Sequence, residues 1–265
     1  MATLTSAPAI GYVNRASGKT ITATSSATGY PVANLNNARM SSSWRSTALT
    51  ATDLIADLAT AQDVDVIGLL GYNGEDDADA RFRTSESSNL ATPEYDSGTI
   101  DAWDATTHAA LLSDTPVYGR PSINFPSATV NSRYVGITVT DAGNADGYQK
   151  GSVFWAGPVW QPPSGMAWSS QPLHTFVGLP GVERVINGWE MVFNYLSEAQ
   201  SRQLLSVLRN KLRSGRYLIV PRPLDDTTFL HEAIYATLVE DPVRRPQPTY
   251  PPTWSVELKF MEVED

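Results

Sequence analysis

The segment from Asp53 to Asn73 constrains this chain more than any other. In Asp53-Leu54-Ile55-Ala56-Asp57-Leu58, the residues Leu54, Ala56 and Leu58 recur at every second position. A period of two is that of a β-strand with one buried face. Shortly after, Val64 to Leu70 is apolar apart from Asp65, and it is bounded by Asp63 and by Gly71-Tyr72-Asn73. An apolar run of that length between turn residues reads as a second, nearly fully buried strand. A half-buried strand followed at once by a buried one commits this part of the chain to a layered β structure.

The residues before this pair extend the pattern. Tyr30-Pro31 enters a short turn, Val32-Ala33-Asn34-Leu35, and a Ser-rich connection ends in Trp44-Arg45-Ser46. One strand is expected around Ile21. Downstream, Ala80-Arg81-Phe82-Arg83-Thr84 alternates, Tyr95-Asp96-Ser97-Gly98 is a turn, and Ser132 to Val139 alternates clearly. Asp141 to Gly147 is rich in Gly, Asn and Asp and reads as a turn. Gln149 to Trp155 closes the unit. This order of turn, Trp-containing segment, amphipathic strand, apolar strand and closing strand resembles the discoidin-like (coagulation factor 5/8 type C) β-sandwich, over about residues 10–157. More narrowly, it resembles the version found in tail proteins of tailed bacteriophages.

That resemblance raises the question of calcium, which many discoidin-like domains hold with an Asp-Gly turn and a Glu of the last strand. Here the corresponding turn is Asn34-Leu35-Asn36-Asn37, and Ser152-Val153-Phe154-Trp155 carries no carboxylate. Calcium prefers several hard oxygen ligands, carboxylates among them. No metal site is expected.

Gly157 to Gly165 contains three prolines and two glycines and reads as a stiff linker, with the boundary near Pro158. Strands are expected around His174–Phe176 and Arg184–Phe193. Ser197 and Gln200 form a capping box, and Leu204, Leu208 and Leu212 recur on one helical face. Arg209, Lys211 and Arg213 suit the C-terminal end of the helix dipole, and Gly215 suits its stop. Further strands are expected at Arg216–Val220, at Phe229–Val239 and at Trp254–Val263, the last alternating throughout. The second half resembles the small β-barrel with one packed helix shared by phage tail-tube, distal-tail and baseplate-hub proteins. The organisation expected is a jelly-roll sandwich at 1–157, a linker at 158–165, and a smaller barrel at 166–265 with a helix at 197–214. The fold class is mainly β.

Composition narrows the function. The formal net charge is −9, from 19 basic and 28 acidic residues. The one dense basic region, Arg202 to Arg216, is explained by the helix, so nucleic-acid binding is not expected. No run reaches the roughly 18 apolar residues of a membrane span. The first ten residues lack a basic segment followed by an apolar one, so no secretory leader is expected. There are no cysteines, hence no disulfides and no thiol nucleophile. His108, His174 and His231 share no metal-ligand spacing, and no Gly-x-Ser-x-Gly, Walker or dinucleotide-binding motif is present. The adjacent carboxylates Asp76-Asp77 and Asp225-Asp226 read as solvated turns, since neighbouring turn residues point apart. No catalytic residue, cofactor or metal is expected.

Seven tryptophans remain to be placed. Trp44 and Trp155 lie beside apolar strands and are expected in the core, while Trp160 and Trp168 suit a position between domains. Trp103 opens a long loop through His108 and Tyr118 to Pro126, expected as a contact surface. Five prolines fall in Asp241 to Pro252, together with Arg244, Arg245 and Tyr250. This stretch is expected to be an extended arm that reaches an adjacent subunit.

The resemblance then implies a structural virion protein, made in the host cytoplasm: a distal-tail or tail-tip component. It would form a closed ring, sixfold favoured and threefold the alternative. It would contact the tail tube, hub or fibre proteins and, through the sandwich, a host surface glycan. The alternative is a carbohydrate-binding module of a secreted or cell-surface protein. A polysaccharide-degrading tail enzyme is a third, weaker reading.

Overall fold

The computed structural model describes residues 7–75, 77–102, 120–162, 168–177, 184–209, 215–221, 233–249 and 252–263. The molecule is mainly β. Its first sheet has six strands: β2 (Thr20–Ala23), β4 (Thr52–Val64), β6 (Asp79–Ser85), β7 (Tyr95–Asp96), β8 (Ile100–Asp101) and β10 (Val130–Thr140), with β4 and β6 on either side of β10. Facing it is a three-stranded sheet in which β5 (Val66–Tyr72) is flanked by β9 (Arg120–Asn124) and β12 (Val153–Gly157). A two-stranded ladder of β3 (Trp44–Arg45) and β11 (Lys150–Gly151) closes one end. All ladders are antiparallel.

The two sheets form a sandwich whose core is read directly from the alternation. Leu54, Ala56 and Leu58 of β4 and Val135, Ile137 and Val139 of β10 meet Ile67 and Leu69 of β5 and Phe154 and Ala156 of β12. The other face of the six-stranded sheet lies in water and carries ion pairs, Arg83 with Asp53 and Arg133 with Asp57. A single 3-10 turn, Val32–Asn36, seals the core with the buried Leu35.

The second lobe is a curled eight-stranded sheet around one helix, the expected smaller β region in mainly β surroundings. Its strands are β1 (Ala9–Gly11), β13 (Val159–Trp160), β14 (Trp168–Val177), β15 (Arg184–Leu196), β16 (Tyr217–Val220), β17 (Ile234–Leu238), β18 (Val243–Gln247) and β19 (Thr253–Glu262). The helix α1 (Glu198–Arg209) starts at the expected capping box. The Gln200 N–H donates to Ser197 Oγ at 3.3 Å, and the Ser197 N–H donates to Gln200 Oε1 at 2.8 Å. Leu204 and Leu208 are fully buried against Phe193, Leu196, Val256 and Phe260. The part of the expected helix at 210–214 lies outside the described residues.

The expected division at residues 157 and 158–165 cuts through this lobe. Ala9–Gly11 is a strand of the second sheet, hydrogen-bonded between β13 and β16. Val159–Trp160, expected as linker, is its edge strand, and Trp160 packs edge-on against Phe193 at 5.2 Å. Proline-rich composition shows where a ladder is interrupted, but it does not forbid two residues of pairing on an edge.

A third core joins the lobes. Val66, Leu70, Val153 and Trp155 project from the outer face of the three-stranded sheet and meet Ala9, Leu218, Val220, Tyr235 and Val263. The Trp155 and Tyr235 rings lie edge to face at 6.1 Å. The three-stranded sheet is therefore a middle layer, dry on both sides. This is why β5 is buried at every position and lacks alternation.

The proline-rich arm is a further difference. Val243–Gln247 pairs with Thr253–Glu257 as a hairpin on its own sheet. The stretch expected as an extended arm is thus, over these residues, a paired edge strand. The one proline inside the strand, Pro246, sits on an edge, where a missing N–H costs no ladder bond.

Candidate functional site

The loops at the β3–β11 end of the sandwich gather aromatic rings and cations around Arg45. Trp44 anchors the cluster: the ring is fully buried and its Nε1–H donates to Ser25 O at 2.9 Å. The next residue, Arg45, is thereby turned outward. Its N–H donates to Tyr30 O at 3.3 Å, and its carbonyl accepts from Ala27 N at 2.8 Å. Gly29, at a φ of 85°, makes the turn that brings Tyr30 back over Arg45. The Arg45 Cζ lies 3.8 Å from the Tyr30 ring centroid and 4.4 Å from that of Tyr148.

Tyr148 is held from the other side. Asn73, at the end of β5, donates from Nδ2 to Tyr148 O at 3.0 Å and to Asp146 Oδ2 at 2.9 Å. Its Oδ1 accepts from the Lys150 N–H at 2.6 Å. Ser46 and Gln149 exchange backbone and hydroxyl bonds at 2.8 and 2.9 Å. The side chains of the cluster thus sit on a loop tied to rigid strands. Lys150 stands directly opposite Arg45 in the ladder. Burial, and then the Arg45 charge, lower the pKa of its ammonium, with Asp146 opposing. Planar rings and a stacked guanidinium are the groups that pack on sugar faces and donate to sugar oxygens.

Of the sequence-derived contact residues, the two that are described, Arg244 and Arg245, lie in the second lobe on β18. Trp103, His108, Tyr118 and Tyr250 lie outside the described residues. Arg244 is committed within its own lobe: its guanidinium stacks on Trp254 at 3.4 Å and pairs with Glu198 at the start of α1. Arg245 points away, largely exposed, with Glu257 at 3.8 Å. Sequence reasoning missed Tyr30, Arg45, Tyr148 and Lys150 as a group. Tyr30 and Arg45 were visible as flanks of the turn and of the Trp44 strand, but Tyr148 and Lys150 join them only through the β3–β11 pairing.

The Asn34–Asn37 turn shows what its amides do. Asn34 Nδ2 donates to Ser43 O and Asn36 Nδ2 to Lys19 O, both at 2.8 Å. A carboxylate cannot donate these bonds, and the turn directs donors rather than acceptors at its neighbours. Among the described residues, no three His, Asp or Glu side chains cluster to hold an ion.

No protein-family model matches the sequence, and no curated protein matches it. Among solved structures, the chain is similar to the lectin domain of lectinolysin complexed with Lewis B antigen (14% identity, 55% of this chain and 96% of that one, TM-score 0.40). It is also similar to chitosan-binding module 1 of a chitosanase/glucanase from Paenibacillus sp. IK-5 (18%, 55% and 99%, 0.39). A third is a Streptococcus pneumoniae fucose binding module (13%, 55% and 95%, 0.40). At identities and TM-scores this low, these likenesses say nothing of what this chain binds.

Proposed function

We propose that this protein is a non-enzymatic carbohydrate-binding protein that takes its glycan at the Tyr30–Arg45–Tyr148 cluster. The observation that carries the reading is the stacked guanidinium itself. Tyr30 is 36% exposed, and Arg45 makes no hydrogen bond or ion pair through its side chain among the described residues. A ring face beside free planar donors, fixed by loops that are themselves fully tied down, is a preorganised polar site. The test is a glycan array with the full chain and with Tyr30→Ala. Binding by the native protein that the variant loses supports the reading. No binding to any glycan by the native protein overturns it.

A second reading keeps the virion: a distal-tail or tail-tip component of a tailed phage that assembles into a closed ring, six copies favoured and three the alternative. The apolar joint between the lobes favours it, because it would let a ring-forming second lobe present the sandwich at a fixed angle. Sedimentation separates the readings. A monomer that binds glycan favours the free-standing module, and a closed ring favours the tail component.

A further inference from the structure

The cluster contains a charge arrangement that neither lobe's fold explains. Arg45 and Lys150 are direct cross-strand partners in the β3–β11 ladder. Directly opposed side chains share a face of the ladder, and like charges so placed are destabilising. Three other arginines of the sandwich are matched, Arg81 with Asp96, Arg83 with Asp53 and Arg133 with Asp57, while Arg15, Lys19 and Arg39 make no ion pair among the described residues but do not stand opposite another cation in a ladder. Arg45 and Lys150 have no such partner among the described residues, and the Arg45 Nε is buried without an acceptor. The nearest acid acting on Lys150 is Asp146, and its Oδ2 already accepts from Asn73. The molecule as a whole is acidic, with a net charge of −9. A surplus of carboxylates elsewhere makes two unmatched cations placed directly opposite each other harder to attribute to composition.

The stacking also fixes geometry. The Arg45 Cζ lies 3.8 Å from the Tyr30 ring centroid and 4.4 Å from that of Tyr148, so the two rings restrict where the guanidinium can sit. A carboxylate is planar and accepts two parallel N–H bonds from such a group, while an ammonium alongside adds charge without demanding direction. We propose that the cluster selects an acidic saccharide, with the carboxylate of a uronic or sialic acid residue taken by Arg45 and Lys150 and the sugar face lying against Tyr30. This rests on the glycan-binding reading and narrows it from saccharides in general to carboxylated ones.

The experiment compares, by titration calorimetry on the full chain, oligogalacturonate and sialyllactose with their neutral counterparts, galacto-oligosaccharide and lactose. At least one acidic probe should bind at least about tenfold more tightly than its neutral partner, consistent with one charge-assisted pair. Arg45→Met and Lys150→Met should each remove most of that preference. Lys150→Met carries the test if Arg45→Met alters the fold, since Lys150 supports no ring. The acidic preference should also shrink with added salt. Neutral sugars bound as tightly as acidic ones would overturn the carboxylate proposal and leave the glycan reading standing. Failure of both acidic sugars to bind would overturn the carboxylate proposal, and the glycan array decides the broader reading separately. Displacement of the acidic sugar by acetate at equal concentration would also overturn the proposal, by reducing the cluster to a simple anion site.

Discussion

The two sheets of the sandwich are built from similar strands but face different surroundings. In β4 and β10, buried and open positions alternate, and the open face is laced with arginine–aspartate pairs. In β5 and β12 every residue is buried, because the second lobe covers the face that would otherwise meet water. Apolar burial stabilises by roughly 25 cal/mol per Å², whereas an exposed ion pair contributes about 0–1 kcal/mol. The middle layer should therefore dominate the stability of both lobes, and the outer layer should mainly maintain solubility and register.

The sharpest way to break this comparison is Trp155→Ala. Trp155 is fully buried and edge-on to Tyr235, and its ring lies so close to Gly11 that a β-carbon there would come within 3.1 Å of it. Its truncation should cost about 3–5 kcal/mol, measured by urea denaturation, and should lower the stability of both lobes in one transition. Separate transitions for sandwich and second lobe in the native protein would show that the shared layer does not couple them.

Leu208→Ala comes next, at about 2–5 kcal/mol. It lies in the second lobe's own core, on the far side of the sheet from the sandwich. If the lobes are coupled, tryptophan fluorescence, to which both lobes contribute, should report the loss as one transition at the same denaturant concentration as the helix signal. Ser197→Ala should cost about 1 kcal/mol through the lost cap, read as a lower thermal midpoint. No change there would mean that Gln200 and the helix dipole suffice without the hydroxyl.

Much of this architecture was legible in the sequence, and the reason is local. Leu54, Ala56 and Leu58 announce a half-buried strand by spacing alone, and Ser197 with Gln200 announces a helix start. What covers Val66 and Trp155 was not legible. The partners Ala9, Leu218 and Tyr235 come from strands at distant points of the chain, and Val263 from just past the last one, and nothing local in any of them names the sandwich as its cover. The same limit hid the cluster. Five prolines between Asp241 and Pro252 suggested a stiff arm, yet a hairpin forms because Pro246 occupies an edge and Pro242, Pro248 and Pro252 fall outside the strand. Composition describes what a backbone cannot do in the middle of a ladder, and an edge relaxes that rule.

The smallest expected effect is on pH, and it separates the two sheets by chemistry. On the outer sheet, Arg81 hydrogen-bonds the Asp96 carboxylate through Nε at 2.8 Å and lowers its pKa to about 2, from the ordinary 3.8. Arg133 likewise lowers that of Asp57. A carboxylate whose folded pKa is depressed adds stability that is present above its unfolded pKa and is lost as pH falls through the folded one. For Asp96 that window runs from the ordinary 3.8 down to about 2. Because the pair is partly exposed, the contribution should be under about 1 kcal/mol. Native protein and Asp96→Asn, compared by urea denaturation across this range, should differ by that small amount at its upper end and converge at its lower end. Among the described residues, the core that joins the middle layer to the second lobe is built of apolar and aromatic side chains. The cost of Trp155→Ala should therefore be the same at about pH 7 and about pH 4, within the error of extrapolation. A cost that fell with acid would place an ionised group against that interface and remove the distinction between a dry middle sheet and a charged outer one.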